Sequence, residues 1–189
     1  MTAEELMERY ASGERDFTGI ELQYVRLNRV VLSGANFNGA NLRGIFLVDS
    51  DLAGSTLRQA NLVDSTLTNV NFQNADLTEA DLSCADLDHS ILREATLVGA
   101  QIYQASLRGA CLAYANLRGA DMGQAGVDGA DFTHADLRDA FLKEVAFEAD
   151  LSYADFRGAE TWDNIEAIFT PGILCNTLLP DGRIRNDDC

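Results

Sequence analysis

Lysine is nearly missing: Lys143 is the one lysine among 14 basic residues, the other 13 being arginine. Proline occurs twice, histidine twice and tryptophan once. Two prolines and 15 glycines exclude collagen-like and proline-rich chains. No apolar run approaches the ~18 residues that a membrane span requires. The chain does not open on a basic stretch followed by an apolar one, so no secretion signal is expected. The default address is then the cytoplasm, with a lumen or periplasm only where a precursor segment has been removed. Four cysteines show no CxxC or Cys/His spacing, so neither a metal nor a cofactor is expected. Positive charge is scarce: 14 bases face 30 acids, a formal charge of −16. That balance argues against direct binding of nucleic acid or an anionic membrane.

What is present is an ordinary globular share of apolar residues, 47% of 189. A chain of this length buries roughly 70% of its unfolded surface, enough to fold without staples. The charge is uneven: residues 121–189 hold 15 acids and 5 bases, so −10 of the −16 lies in the last third.

A search for internal repeats gives a period of five. Every fifth residue from Phe17 to Phe147 is large and apolar, 27 positions in all: 19 Leu, 5 Phe, Ile102, Met122 and Val127. Two residues before each, from Ile20 to Val145, stands Ala 16 times, Ser four, Val four and Ile twice. One residue is missing between Phe147 and Leu151, after which Leu151 and Phe156 resume the pattern. Five matches neither the helical 3.6 nor the strand 2. In extended chain, residues two apart share a side, so Ala and Leu point inward and the Asp or Asn between them points out. The other two residues turn a corner, and glycine fills the second of them at ten positions, as a tight turn favours. The result is a coil of straight five-residue sides around a column of Leu. Tyr114, His134 and Tyr153, with Arg118, Arg138 and Arg157, recur at spacings of 20 and 19, which fits four sides per coil.

The tandem motif A(D/N)LXX, as in residues 40–44, 75–79, 115–119 and 135–139, resembles that of the pentapeptide-repeat proteins over residues 15–160. The resemblance implies an all-β fold: a right-handed quadrilateral parallel β-helix, a solenoid with four pentapeptides per coil and about seven coils. At ~4.8 Å per coil the rod is ~34 Å long. The segments 9–17 and 175–189 are similar to the end caps of cyanobacterial, chloroplast and lumenal members.

Both ends look closed, as a solenoid requires. Residues 2–12 predict a short helix within a cap over 1–14. Thr2 and Glu5 have capping-box spacing, Met1 and Leu6 that of a hydrophobic staple, and Gly13 a stop. Residues 161–189 form a cap outside the repeat, with Trp162, Ile165, Ile168, Phe169, Ile173 and Leu174 to cover the last coil. Residues 1–189 are read as one domain.

In the four-sided arrangement Cys84 and Cys111 fall on different sides of different coils and are expected unpaired. Cys175 and Cys189 flank a turn; they either bridge or remain two free thiols, a bridge being unusual in a reducing cytosol. His134 falls in a ladder with Tyr114 and Tyr153; a catalytic base needs a substrate pocket as well, and a coil filled with Leu leaves no internal one. The outward carboxylates Asp76, Asp81, Asp86, Asp121, Asp131 and Asp136 read as solvated strand positions. Asp136 with Arg138, and Asp155 with Arg157, have the spacing of surface ion pairs. Apolar residues replace Asp or Asn at Val31, Phe46, Ile91 and Phe141. These are either contact sites for a partner or local packing against caps and neighbouring coils.

The expected function is therefore non-enzymatic: a rigid protein-interaction module with an unidentified protein partner, monomeric or weakly dimeric. Phe46, Ile91, Phe141, Tyr114, His134 and Tyr153 are its candidate contacts. The alternative is an acidic DNA mimic that binds a type II topoisomerase, gyrase, as some acidic members of the resembled family do. A ~34 Å stretch of duplex carries ~20 phosphate charges, comparable in size to the charge here. Against it stand the concentration of charge in one third of the chain and the polar C-terminal tail.

Overall fold

A computed structural model describes the chain except Trp162, Asp163, Thr170 and Pro171, and the side chains of Ile165 and Glu166. The cap roles expected of Trp162 and of the Ile165 side chain thus lie outside the described residues.

Parallel bridges join each outward residue to the one 20 positions on, from Asp16 with Asn36 to Asp121 with Phe141. Twenty residues are four pentapeptides, so each coil has four sides. After the missing residue the spacing becomes 19 (Asp131 with Asp150, Asp136 with Asp155), then 23 (Asp150 with Ile173, Asp155 with Leu178). All 27 large repeat residues are at most 4% exposed, and most of the alanines two before them are buried with them. The core is a continuous column sealed by the backbone wall. Two bonds per side tie successive coils: Leu82 N donates to Gln101 O at 2.7 Å, and Gln101 N to Ala80 O at 2.9 Å.

Among the described residues, regular strands are limited to β1 (Thr177–Leu178) and β2 (Ile184–Arg185), an antiparallel pair in the tail. The coil sides register as single bridges, because a five-residue side leaves one bridging residue between corners. Each corner is a turn closed by a bond such as Ala80 N to Leu77 O, 3.0 Å. Its third residue has positive φ, which makes it a type II turn. The expectation of glycine at this position is incomplete. Eighteen of the 28 such corner residues are not glycine, among them Cys84, His89, Tyr114 and His134, all near +60°. The left-handed conformation costs a side-chain-bearing residue about 1–2 kcal/mol. It persists because the corner N–H is bonded to the next coil: Cys84 N donates to Tyr103 O at 2.9 Å.

At the N-terminus, α1 (Ala3–Ala11) starts at Thr2, whose hydroxyl accepts from Glu5 N at 3.2 Å. Leu6 is fully buried on the first coil, and Tyr10 Oη donates to Ser33 O at 2.9 Å, pinning the helix. At the other end, α2 (Ile165–Phe169) brings Ile168 and Phe169 onto the last coil, with Leu174 buried beside them. Phe169 and Phe156 pack edge to face at 4.8 Å. Ile173 departs from expectation. It bridges Asp150 in the outward slot and is 49% exposed, so it does not cover the core. Gly172 beside it tolerates no side chain, since a Cβ there would lie 2.7 Å from Phe147 O.

Candidate functional site

The outward slot has a structural task that sequence reasoning misses. Backbone pairing uses the N–H groups of the large residue and of the third turn residue, leaving the N–H between them without a partner. In all 15 slots held by Asp or Asn, the side-chain oxygen accepts that N–H. Asp76, Asp81, Asp86, Asp121, Asp131 and Asp136 are thus turn caps of the Asx kind, not merely solvated carboxylates. Asp81 accepts from Ser83 N at 3.0 Å. Asp81→Ala is expected to cost about 1 kcal/mol and Asp81→Asn almost nothing, read from paired urea melts. Equal losses in the two variants would refute the capping role.

Against this background the apolar slots stand out. Val31 is 57% exposed, Ile91 42% and Phe141 44%. None of these side chains can accept a hydrogen bond. Among the described residues, Ser33 N and Arg93 N, the turn amides after Val31 and Ile91, have no protein acceptor. Phe46 is different. It is half-buried, the Arg26 guanidinium lies 4.1 Å from its ring centre, and the following turn amide, Val48 N, is taken by Asn28 at 3.0 Å. One face of its ring is covered by a cation of the chain itself.

Tyr114, His134 and Tyr153 come together at one corner, all in the left-handed turn position. Their rings stack face to face, 4.7 Å between Tyr114 and His134 and 4.6 Å between His134 and Tyr153. Arg93 lies 4.9 Å above the free face of Tyr114. Both tyrosines are about half exposed. The spacing of the stack is the spacing of the coils. At the next corner the arginines pair with carboxylates. Arg138 holds Asp136 at 2.6 Å and reaches Asp155 at 3.8 Å, and Arg157 holds Asp155 at 2.6 Å. Exposed pairs of this kind are each worth little.

Several turn-capping carboxylates lie below their ordinary range. Burial acts to raise Asp76, Asp136 and Asp155, and is outweighed by hydrogen bonds from Thr78, Arg138 and Arg157 respectively. Asp16 is lowered by the Thr18 hydroxyl and amide. A carboxylate depressed in the folded state adds stability above its unfolded pKa, about 4, and loses it as pH falls through the folded value. Stability should therefore fall more steeply with acid in the parent than in Asp76→Asn. Thermal midpoints from about pH 5 to 2.5 test this. Parallel curves for the two proteins would remove Asp76 from the account.

Cys175 and Cys189 form a disulfide with sulfurs 2.11 Å apart, closing the tail around β1 and β2. Cys84 and Cys111 are free thiols. Among the described residues no group of three or more His, Cys, Asp or Glu is arranged to hold a metal ion, and no helix is long and apolar enough to cross a membrane.

A further feature lies where the period slips. The corner after Phe147 has one residue, Glu148, in place of two. The trimmed corner leaves an open notch of about 520 Å³, lined by Gly129, Asp131, Glu148, Asp150 and Ile173 among others. Gly129 N donates to Glu148 O at 2.7 Å across it. The missing residue is its signal in the sequence.

Comparison with known proteins agrees with this geometry. Residues 20–97 match the family model of the pentapeptide repeat region, and residues 110–148 and 128–160 match that of pentapeptide repeats of eight copies. No curated protein sequence matches. Among solved structures the chain is similar to HetL, a pentapeptide repeat protein involved in heterocyst differentiation regulation from the cyanobacterium Nostoc sp. strain PCC 7120. The identity is 28% and the TM-score 0.69, over 98% of this chain and all of that one. Rfr23 from the cyanobacterium Cyanothece 51142 is 25% identical at TM-score 0.63, over 66% of this chain and 99% of that one. QnrB1, a plasmid-mediated fluoroquinolone resistance protein, is 18% identical at TM-score 0.53, over 82% and 89%, a likeness of fold alone. The period of five, the four-sided coil and these matches together place the chain in the pentapeptide-repeat family.

Proposed function

We propose that the protein is a non-catalytic interaction module, a right-handed square rod of about seven coils in one capped domain, monomeric or weakly dimeric. It presents Ile91, Phe141 and the Tyr114–His134–Tyr153 ladder to a protein partner. The observation that carries this reading is the set of apolar slots. Where 15 Asp and Asn residues cap their turns, Ile91 leaves its turn amide to solvent and exposes an apolar side chain. Among the described residues Thr66, Thr96, Gln101 and Cys111 also leave their turn amides uncapped, so the mark of Ile91 is its apolar side chain, 42% open to solvent in a slot that is mostly polar elsewhere. Departures from local rules of this kind mark functional positions. The resemblance to HetL over nearly the whole chain supports a regulatory contact role, since a rod whose interior is filled by its own side chains has its surface to work through.

The experiment is affinity capture from lysate at low and high salt with the parent, Ile91→Asp and Phe141→Asp. A protein retained at high salt and lost with either variant supports the reading. Capture that neither variant changes opposes it. The second reading, an acidic rod that occupies a topoisomerase in place of DNA, rests on the charge of −16. Topoisomerase subunits that wash off with salt would favour it, because screening weakens charge-led contacts.

A further inference from the structure

One side of the rod carries a graded strip. Ile91, Cys111, Asp131, Asp150 and Ile173 are bridged in succession, each to the next, and form the last five members of a column that starts at Val31, Asp51 and Asn71. At ~4.8 Å per coil the ends of these five are ~19 Å apart. Both ends are exposed isoleucines, 42% and 49%. The middle is acidic, and it borders the open notch of about 520 Å³ that also holds Glu148.

The charges of this strip are unspent. Asp131 accepts from Thr133 N and Oγ1 and from the Cys111 thiol, and Asp150 from Ser152 N, all neutral donors. Among the described residues no cation pairs with Asp131, Glu148 or Asp150. On the next corner, by contrast, Asp136, Asp139 and Asp155 are matched by Arg138, Arg118 and Arg157. The carboxylates are not grouped to ligate a metal ion. The notch is wide enough instead for a long cationic side chain. The strip is edged by the aromatic ladder on one corner; on the other the His89 ring lies over Gly109, and the rim is open only at Gly129, beside the notch.

We propose that this strip is the docking site of the interaction module, and that its occupant is an extended basic segment of another protein. The segment lies along the rod axis with arginine or lysine over the acidic middle and bulky apolar residues on Ile91 and Ile173. About six extended residues span the ~19 Å. Charge complementarity sets the partner: the carboxylates demand a cation, and the terminal isoleucines demand apolar contacts that outlast salt. The proposal rests on the interaction reading above and narrows it to one side and one chemistry.

The test is a phage library of random 12-residue peptides panned against the full chain. Enriched peptides are then synthesised with a fluorescent label and titrated by polarisation. Asp131→Asn and Asp150→Asn remove charge while keeping the turn cap, as Asn does at residues 36, 61 and 71. With Glu148→Gln they make a triple variant that should fold as the parent does, checked by its thermal midpoint. The expected peptides carry arginine or lysine beside apolar residues. Their affinity should fall at least tenfold in the triple variant and in Ile91→Asp. Asp81→Asn, one charge removed from another side, should leave it unchanged. Enriched peptides without basic residues, or equal loss with Asp81→Asn, overturn the proposal, as does the absence of any enriched peptide. If peptides bind but respond only to Phe141→Asp, the strip is wrong and the interaction reading stands.

Discussion

Phe147→Ala is expected to cost the C-terminal end of the rod about 3–5 kcal/mol, the range for emptying an aromatic site that cannot collapse. Phe147 is fully buried and its ring meets three others: Phe132 at 5.6 Å and Phe156 at 5.3 Å, both edge to face, and Phe169 stacked at 5.5 Å. Its backbone is tied to the cap as well, since Phe147 N donates to Ile168 O at 3.1 Å. Phe147 is also where the period slips, so this side chain, with Phe156, is where coil and cap meet. In a solenoid each coil is stabilised by its neighbours, so the loss should be local. Amides of the last coils should exchange faster, while those near Leu57 keep their protection. Chemical denaturation with amide exchange read by mass spectrometry measures both. A loss below about 1 kcal/mol would show that α2 closes over the gap and that the aromatic cluster is not the clamp.

The second large effect is expected from opening the Cys175–Cys189 bridge. It closes a loop of 15 residues, and the loop-entropy estimate for that length is about 3 kcal/mol. Residues 173–180 are themselves bonded to the last coil, as by Tyr153 N to Cys175 O at 2.7 Å and Leu178 N to Ala154 O at 2.9 Å, so the bridge mainly holds residues 181–189 against them. Leu174 N donates to Asp188 Oδ2 at 2.9 Å, and Asn176 N to Asn186 Oδ1 at 2.7 Å. In Cys189→Ser these two amides should exchange roughly a hundredfold faster, and trypsin should cut the tail sooner. The core amides at Leu97 should not change. Unaltered exchange at Leu174 and Asn176 would mean that β1 and β2 hold the tail without the bridge.

The repeat makes most of the architecture legible. One inward Leu and one inward Ala in every five residues determine a buried column, while the spacing of Tyr114, His134 and Tyr153 only hints at the four-sided register, which the family resemblance implies and the bridges supply. Four things cannot be read, for physical reasons. The capping role of Asp81 and its equivalents depends on which backbone N–H groups the neighbouring coil leaves unpaired, and a single pentapeptide does not contain that information. The tolerance of His134 or Cys84 for a left-handed backbone likewise comes from the coil above or below. Ile173 reads as core in the sequence because it is apolar and lies beyond the repeat. The 23-residue spacing that sets it in an outward slot arises from α2, a helix that the period of five does not foretell. Phe46 and Phe141 look alike in sequence, and only Arg26 in the previous coil separates them.

The bridge spacing of 20 has a bearing on how the chain is made. A coil needs nothing from residues more than about one turn ahead, so the sequence distance between partners stays between 19 and 23 along the whole rod. At the usual pace of about 5–20 residues per second, a new coil leaves the ribosome every one to four seconds. Each finds its template already laid down beneath α1. The nascent protein can thus wind onto itself in order, like thread onto a bobbin, and its last step is the closing of the tail.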